Sequence, residues 1–221
     1  MFNSILHDLN QPDHKYWNDQ TYYGWPLITH RGPLLTNHLD AISKTFDKAL
    51  MDTSRAYAVR FDLRLPCDFD ITDSVVVTRF FNALRRLLET ADMEKAREGK
   101  RVHPHKLRYC WAKEWGNEGR PHYHVLIILN HNRYRTLGSF KNGEGNLSAR
   151  IKTAWAIALN QNLDAVARLV HFPKNAEYRL YRNSPDYQLQ AQSLFYRASY
   201  FAKAETKVFG IGQRSLGTSL S

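Results

Sequence analysis

Two histidines, His122 and His124, stand two apart in the run Pro121-His122-Tyr123-His124-Val125-Leu126-Ile127-Ile128-Leu129. So apolar a run reads as a strand, and side chains two apart on a strand leave from one face. Neutral imidazole is a common ligand for divalent metals, so the pair is a candidate metal site. An isolated H-x-H serves equally well as two satisfied core or surface residues; its neighbours lift it above that. Leu107–Trp115 reads as the preceding strand, and residues 116–119, Gly-Asn-Glu-Gly, as a hairpin turn. That hairpin sets Glu114 nearly opposite His122, at a cross-strand spacing of about 5 Å. Two imidazoles and one carboxylate suit a divalent ion with open positions, Mg²⁺ or Mn²⁺, whose other sites take water or phosphate oxygens. Glu118 is the competing carboxylate, but it falls in the turn. His103-Pro104-His105 is a rival H-x-H, and its proline blocks regular strand pairing.

A second group lies near the C-terminus. Tyr196, Tyr200, Lys203 and Lys207 are spaced i, i+4, i+7 and i+11. On one helix they share a stripe. Leu194, Ala198 and Phe201 fall roughly opposite and would dock on the body. A phenol ionises near pH 10, so attack on phosphorus needs a metal polarising the phosphate and an adjacent ammonium. Taken alone, the same pattern describes an amphipathic helix with rim tyrosines and solvated lysines.

The elements that would position these groups follow from periodicity. Residues 1–35 are turn-rich and read as an irregular arm, pinned by Tyr16, Trp17, Tyr22, Tyr23 and Trp25, rings that could also stack on bases. Leu39, Ile42, Phe46 and Ala49/Leu50 keep helical spacing after possible caps at Thr36 or Asn37. Val59, Phe61, Leu63 and Leu65 then alternate with Arg60, Asp62 and Arg64, a half-buried strand. Val77, Phe80/Phe81, Leu84, Leu87/Leu88 and Ala91 form a second helical stripe, and the charged segment 95–106 leaves the body as loop or helix end. After the hairpin come a glycine-bearing loop at 138–146, a helix through Leu147, Ile151, Trp155 and Leu159, and a short strand within 169–172. A last helix covers roughly 186–207, and the tail from Gly210 is either a short strand or disordered. This order predicts an α+β fold: a central antiparallel sheet with helices packed mainly on one face.

Composition narrows the partners. The 221 residues are 43% hydrophobic and 13% aromatic, enough for a sizeable core. Lys and Arg outnumber Asp and Glu by 31 to 21, which suits a polyanion, nucleic acid before others. Cys67 and Cys110 build neither a disulfide framework nor a zinc cluster, and they fit a reducing cytosol. Neither a signal peptide nor a membrane-length apolar run is evident, so no membrane partner is expected.

The order of an alternating strand, then H-hydrophobic-H on a strand, then Y-x-x-x-Y-x-x-K on a helix resembles the HUH superfamily of single-strand endonucleases, which holds rolling-circle initiators and relaxases. Pro121-His122-Tyr123-His124-Val125 looks like their second motif, and Tyr196, Tyr200 and Lys203 like the third, in the two-tyrosine form of phage initiators. Arg60-Phe61-Asp62-Leu63 sits where the first motif would, with a loose match. Arg-Phe-Asp-Leu-Arg-Leu-Pro, Arg-Pro-His-Tyr-His-Val and Phe-Tyr-Arg-Ala-Ser-Tyr-Phe-Ala-Lys are similar to the inovirus gene-II-like replication proteins, among them the prophage YagK/YfjJ C-terminal domain family.

The resemblance implies a sheet of about five strands, ferredoxin- or RRM-like. It implies an arm and helix over 1–54, an endonuclease domain over 55–209 and a tail over 210–221. It further implies that a tyrosine attacks a DNA phosphate, forms a 5′-phosphotyrosyl link and frees a 3′-OH that primes rolling-circle replication. Tyr200 is the first choice of nucleophile, because Tyr200-Phe201-Ala202-Lys203 fits the Y-x-x-K spacing, and Tyr196 is the second tyrosine. Lys203 would stabilise phosphate or phenolate, while His122, His124 and Glu114 hold the metal. Arg60, Arg64, Arg108, Arg120, Arg197 and Lys207 are candidates for DNA-backbone contacts. The expected partners are single-stranded or hairpin DNA at an origin and a host or phage helicase and polymerase, in the cytoplasm of a bacterial cell. The rival readings are a non-cleaving single-stranded nucleic-acid binder or prophage regulator of the same fold, and an interaction protein in which the histidines pack.

Overall fold

The computed structural model describes residues 15–116, 119–139, 145–205, 207 and 214–219. The arm forms four two-residue strands, β1 (Tyr16–Trp17), β2 (Thr21–Tyr22), β3 (Trp25–Pro26) and β4 (Leu34–Leu35), paired β1 with β4 and β2 with β3. Helix α1 (Thr36–Asp52) follows, then β5 (Arg55–Arg64), α2 (Val76–Arg97), β6 (Arg108–Trp115) and β7 (Pro121–Asn130). The remainder is α3 (Leu147–Leu159), the short α4 (Leu163–Val166), β8 (Val170–His171), β9 (Glu177–Tyr181), α5 (Tyr187–Ser199) and β10 (Leu216–Thr218).

The main sheet runs β10-β6-β7-β5-β8, with β9 also paired to β5, and its pairings are all antiparallel. This is an α+β architecture of six strands. Alternation sorts its two faces. Tyr57, Val59, Phe61, Leu63, Tyr123, Val125 and Ile127 point one way, into a core completed by α2 and α3. Ala56, Ala58, Cys110, Ala112, Leu126 and Ile128 point the other way, where α1 and α5 close a second core. Helices thus cover both faces, where the element order predicted mainly one. The small side chains of the second face let α1 and α5 approach the strands closely, which a count of helices does not reveal.

Trp155 of α3 is fully buried in the first core, and its indole N–H donates to the Arg64 carbonyl at 2.9 Å. Trp155→Ala is expected to cost about 3–5 kcal/mol, measured by denaturant unfolding; a loss below about 1 kcal/mol would show that this layer is not a principal core.

Other expectations shift in detail. Neither Thr36 nor Asn37 caps α1 with its side chain: Leu35 holds the cap position, and the Thr36 N–H donates instead to the Lys15 carbonyl at 2.9 Å. Strand β9 was not expected from the sequence, because Glu-Tyr-Arg-Leu-Tyr is a polar, half-exposed edge. The tail supplies β10, on the edge of β6, and α1 packs on the same sheet. The stretch 140–144 of the predicted loop lies outside the described residues. Cys67 is exposed, Cys110 is buried, and both are free thiols. Among the described residues no helix is long and apolar enough to cross a membrane.

The last helix is shorter than its periodicity predicts. It ends at Ser199 and gives way to a 3₁₀ turn over Tyr200–Ala202. The cause is tertiary. The Ser199 hydroxyl donates to the Tyr196 carbonyl at 2.8 Å and accepts from the Ile28 N–H at 3.0 Å. Lys203 then bridges to Leu34 of β4, and the Ala204 N–H donates to the Pro33 carbonyl at 3.0 Å. The arm therefore clamps the turn that carries Tyr200 and Lys203.

Candidate metal and tyrosine site

The polar end of the face under α1 and α5 holds the site. Strand register sets it: His122 pairs with Glu114 on one side and Arg64 on the other, while Asp62 pairs with His124. His124 Nε2 lies 3.3 Å from Glu114 Oε2 and 3.3 Å from His122 Nε2. Ligand atoms about 2.1 Å from a common ion sit roughly 3 Å apart in an octahedral arrangement, so the three groups are close to a ligating geometry. Among the described residues they form a group that could hold an ion. His105 is instead bonded to Asp92 at 2.8 Å, and Glu118 lies outside the described residues.

Behind the ligands stands Asp62, one of the polar residues that alternate along β5. Its Oδ1 is 2.6 Å from His124 Nδ1 and 3.1 Å from Arg60 Nη2. A carboxylate can only accept, so Nδ1 carries a hydrogen and Nε2 is the ring atom turned toward His122 and Glu114. Burial alone would lower the His124 pKa, but Asp62 and Glu114 outweigh it and raise it above the usual imidazole value. For His122, burial and then the neighbouring His124 lower the pKa, which favours the neutral ligand form. Asp62→Asn is expected to weaken Mn²⁺ binding about 10- to 100-fold, read by isothermal titration; an unchanged affinity would mean that no ion is held through His124 Nε2. The signal in the sequence was present: a lone acid on the polar face of a strand whose other face is wholly apolar.

The 3₁₀ turn brings the phenol in. Tyr200 donates from its hydroxyl toward Glu114 Oε2 at 3.4 Å, and Lys203 Nζ lies 3.4 Å from the same hydroxyl. The Tyr200 and His124 rings meet edge to face at 5.3 Å, and Phe201, buried, stacks parallel to His124 at 6.2 Å. Burial, then the Glu114 charge, push the Tyr200 pKa above the usual phenol value, with Lys203 opposing.

Tyr196 takes a different place: it is 37% exposed and lines a groove beside α5. The expected four-residue stripe therefore divides after Tyr196. Lys207 is off the helix but still reaches the site, 3.8 Å from Glu114 Oε1. It is buried, and burial brings its pKa down to about 8.

The predicted backbone contacts also divide. Arg64 is exposed beside His122, and Arg197 lines the groove. Arg120 donates to the Pro66 carbonyl. Arg60 is buried and serves Asp62, and Lys207 is equally withdrawn, so neither offers its charge at the surface. Arg108 sits at the far end of β6, about 20 Å from Glu114 along the strand, paired with Asp52 at 2.7 Å. Periodicity could not separate these six, because it carries no information on which end of a strand a site occupies.

Comparison with known proteins adds relatives. YagK of Escherichia coli (strain K12) is 38% identical over 174 residues, 75% of this chain and 83% of YagK. YfjJ of the same strain is 29% identical over 199 residues, 85% of this chain and 96% of YfjJ. No solved structure matches the chain significantly. The family model of the YagK/YfjJ C-terminal domain matches residues 17–219, a span that takes in the arm, both helical layers and the Glu114–His122–His124–Tyr200 cluster, and the chain belongs to that family.

Proposed function

We propose that the protein is a metal-dependent, HUH-type nickase and strand transferase acting on single-stranded DNA, with Tyr200 as nucleophile. One observation carries this reading: the Tyr200 hydroxyl lies 3.4 Å from Glu114, which is itself grouped with His122 and His124. A phenol, a two-imidazole-one-carboxylate set and an ammonium within contact of one another suit phosphoryl transfer better than packing. A Mg²⁺ or Mn²⁺ ion on Glu114, His122 and His124 would draw charge from a phosphate oxygen.

The chain's own groups do the rest. Lys203 sits beside the phenol oxygen and opposes its negative charge as it ionises. The Tyr200 oxygen bonds to phosphorus as the P–O3′ bond breaks. The phenolic proton passes to solvent, and the departing O3′ takes one up. The products are a 5′-phosphotyrosine and a free 3′-OH, and the reverse step rejoins the strand. No co-reactant is consumed. Asp62 and Arg60 keep His124 oriented throughout.

On this reading the substrate is single-stranded or hairpin DNA at a replication origin, with a helicase and a polymerase as further partners. The test is incubation of end-labelled single-stranded DNA with the protein and Mn²⁺, resolved on a denaturing gel. A slow-migrating covalent species and a fragment that a polymerase can extend are expected. Tight binding with no adduct under any divalent ion would favour the non-cleaving binder instead.

A further inference from the structure

A groove of about 980 Å³ runs beside the site. One wall is α5, presenting Leu189, Tyr196 and Arg197; the other is the segment around Phe172, Tyr178 and Arg179. Leu189 and Tyr196 are seven residues apart within α5, so they share a helix stripe, which ends before the turn that carries Tyr200. Both are exposed, at 65% and 37%, where a helix ordinarily carries polar residues.

The lining is also basic. Lys174, Arg179 and Arg197 face the groove, and its carboxylate, Glu177, is already engaged by the Tyr57 hydroxyl and by Arg179 at 3.5 Å. Arg197 Nε is buried without a hydrogen-bond partner, a donor in want of an acceptor. The groove borders the site: Tyr196 and Arg197 stand on the last turn of α5, directly before the 3₁₀ turn that carries Tyr200.

Rings set beside Arg197, Arg179 and Lys174, at the threshold of a phosphate-handling site, fit an unpaired strand. A duplex would present phosphates but keep its bases from the rings. We propose that this groove holds the single-stranded DNA flanking the cleaved phosphate, with Tyr196 and Tyr178 as stacking surfaces and Arg197 and Arg179 on its phosphates. Tyr196 is on this view a binding residue and not a second nucleophile. The proposal deepens the nickase reading, and rests on it for the choice of DNA as ligand, but its test does not require cleavage.

Binding of a fluorescein-labelled single-stranded oligonucleotide is measured by anisotropy in EDTA, and adduct formation separately in Mn²⁺. Tyr196→Ala should weaken binding roughly 5- to 100-fold, and Tyr196→Trp should restore it. Arg197→Gln should lower the slope of log K against log salt by about 0.7. The matching duplex should bind more weakly and be indifferent to Tyr196→Ala. Unchanged oligonucleotide binding by Tyr196→Ala overturns the groove, and so does an equal loss on duplex. A lost adduct with undiminished binding would return Tyr196 to the role of second nucleophile. Weakened binding by Tyr196→Ala in a protein that never forms an adduct would sustain the groove and remove the nickase.

Discussion

Replacing Tyr200 with phenylalanine is expected to reduce the covalent protein–DNA species by at least about a thousandfold, since the bond-forming oxygen itself is removed. The substitution changes little else. The ring keeps its edge-to-face contact with His124, and only the long contacts to Glu114 and Lys203 are lost. Folding stability should therefore move by no more than about 1 kcal/mol, which thermal melting will show. Tyr196→Phe serves as the control: it retains the ring in the groove and should retain most of the adduct. If Tyr200→Phe forms adduct at the wild-type rate, the nucleophile lies elsewhere. If Tyr196→Phe alone abolishes it, the two tyrosines exchange roles.

Removing the imidazoles should be as severe for cleavage and should leave a separate thermal signature. An ion bound only by the folded protein, at a hundred times its dissociation constant, adds about 2.7 kcal/mol. For a chain of this size that is roughly 5–10 °C of melting temperature. The wild type should show that shift on Mn²⁺ addition, and the His122→Ala/His124→Ala double variant should not. His124 also partners the half-buried Asp62, so its loss strips that carboxylate of its shortest contact and lowers stability by itself. His122→Ala is the gentler version, because that ring is only partly buried and bonds to no carboxylate behind it. Both variants should stop cleavage while salt-dependent binding of single-stranded DNA in EDTA survives. A Mn²⁺ shift that persists in the double variant would place the ion elsewhere.

How far the site was legible before folding depends on which contacts are local. The Glu114–His122 pairing was readable, because a hairpin with a short turn has one register that keeps its apolar face buried, and the structure has that register. Asp62 was harder. It reaches His124 only because β5 lies beside β7, a pairing of strands some sixty residues apart. Tyr200 and Lys203 were singled out through helical spacing, yet they reach Glu114 from a 3₁₀ turn that helical spacing does not describe. The clamp responsible, Ile28 to Ser199 and Leu34 to Lys203, joins opposite ends of the chain. Its consequence is that the arm, beyond being pinned to the body, shapes the turn that carries Tyr200.

By itself the sequence determined which faces of its strands and helices are apolar, hence the antiparallel hairpin, the two-residue alternation and the side on which both imidazoles stand. Those properties depend on periods of two and 3.6 residues and on a short turn, all local. Only the tertiary structure decided which basic residues are buried, which end of the sheet carries the site, and that Tyr196 and Tyr200 part company at Ser199. Those outcomes arise from distant segments competing for the same sheet face and the same backbone hydrogen bonds, and no local pattern encodes the winner.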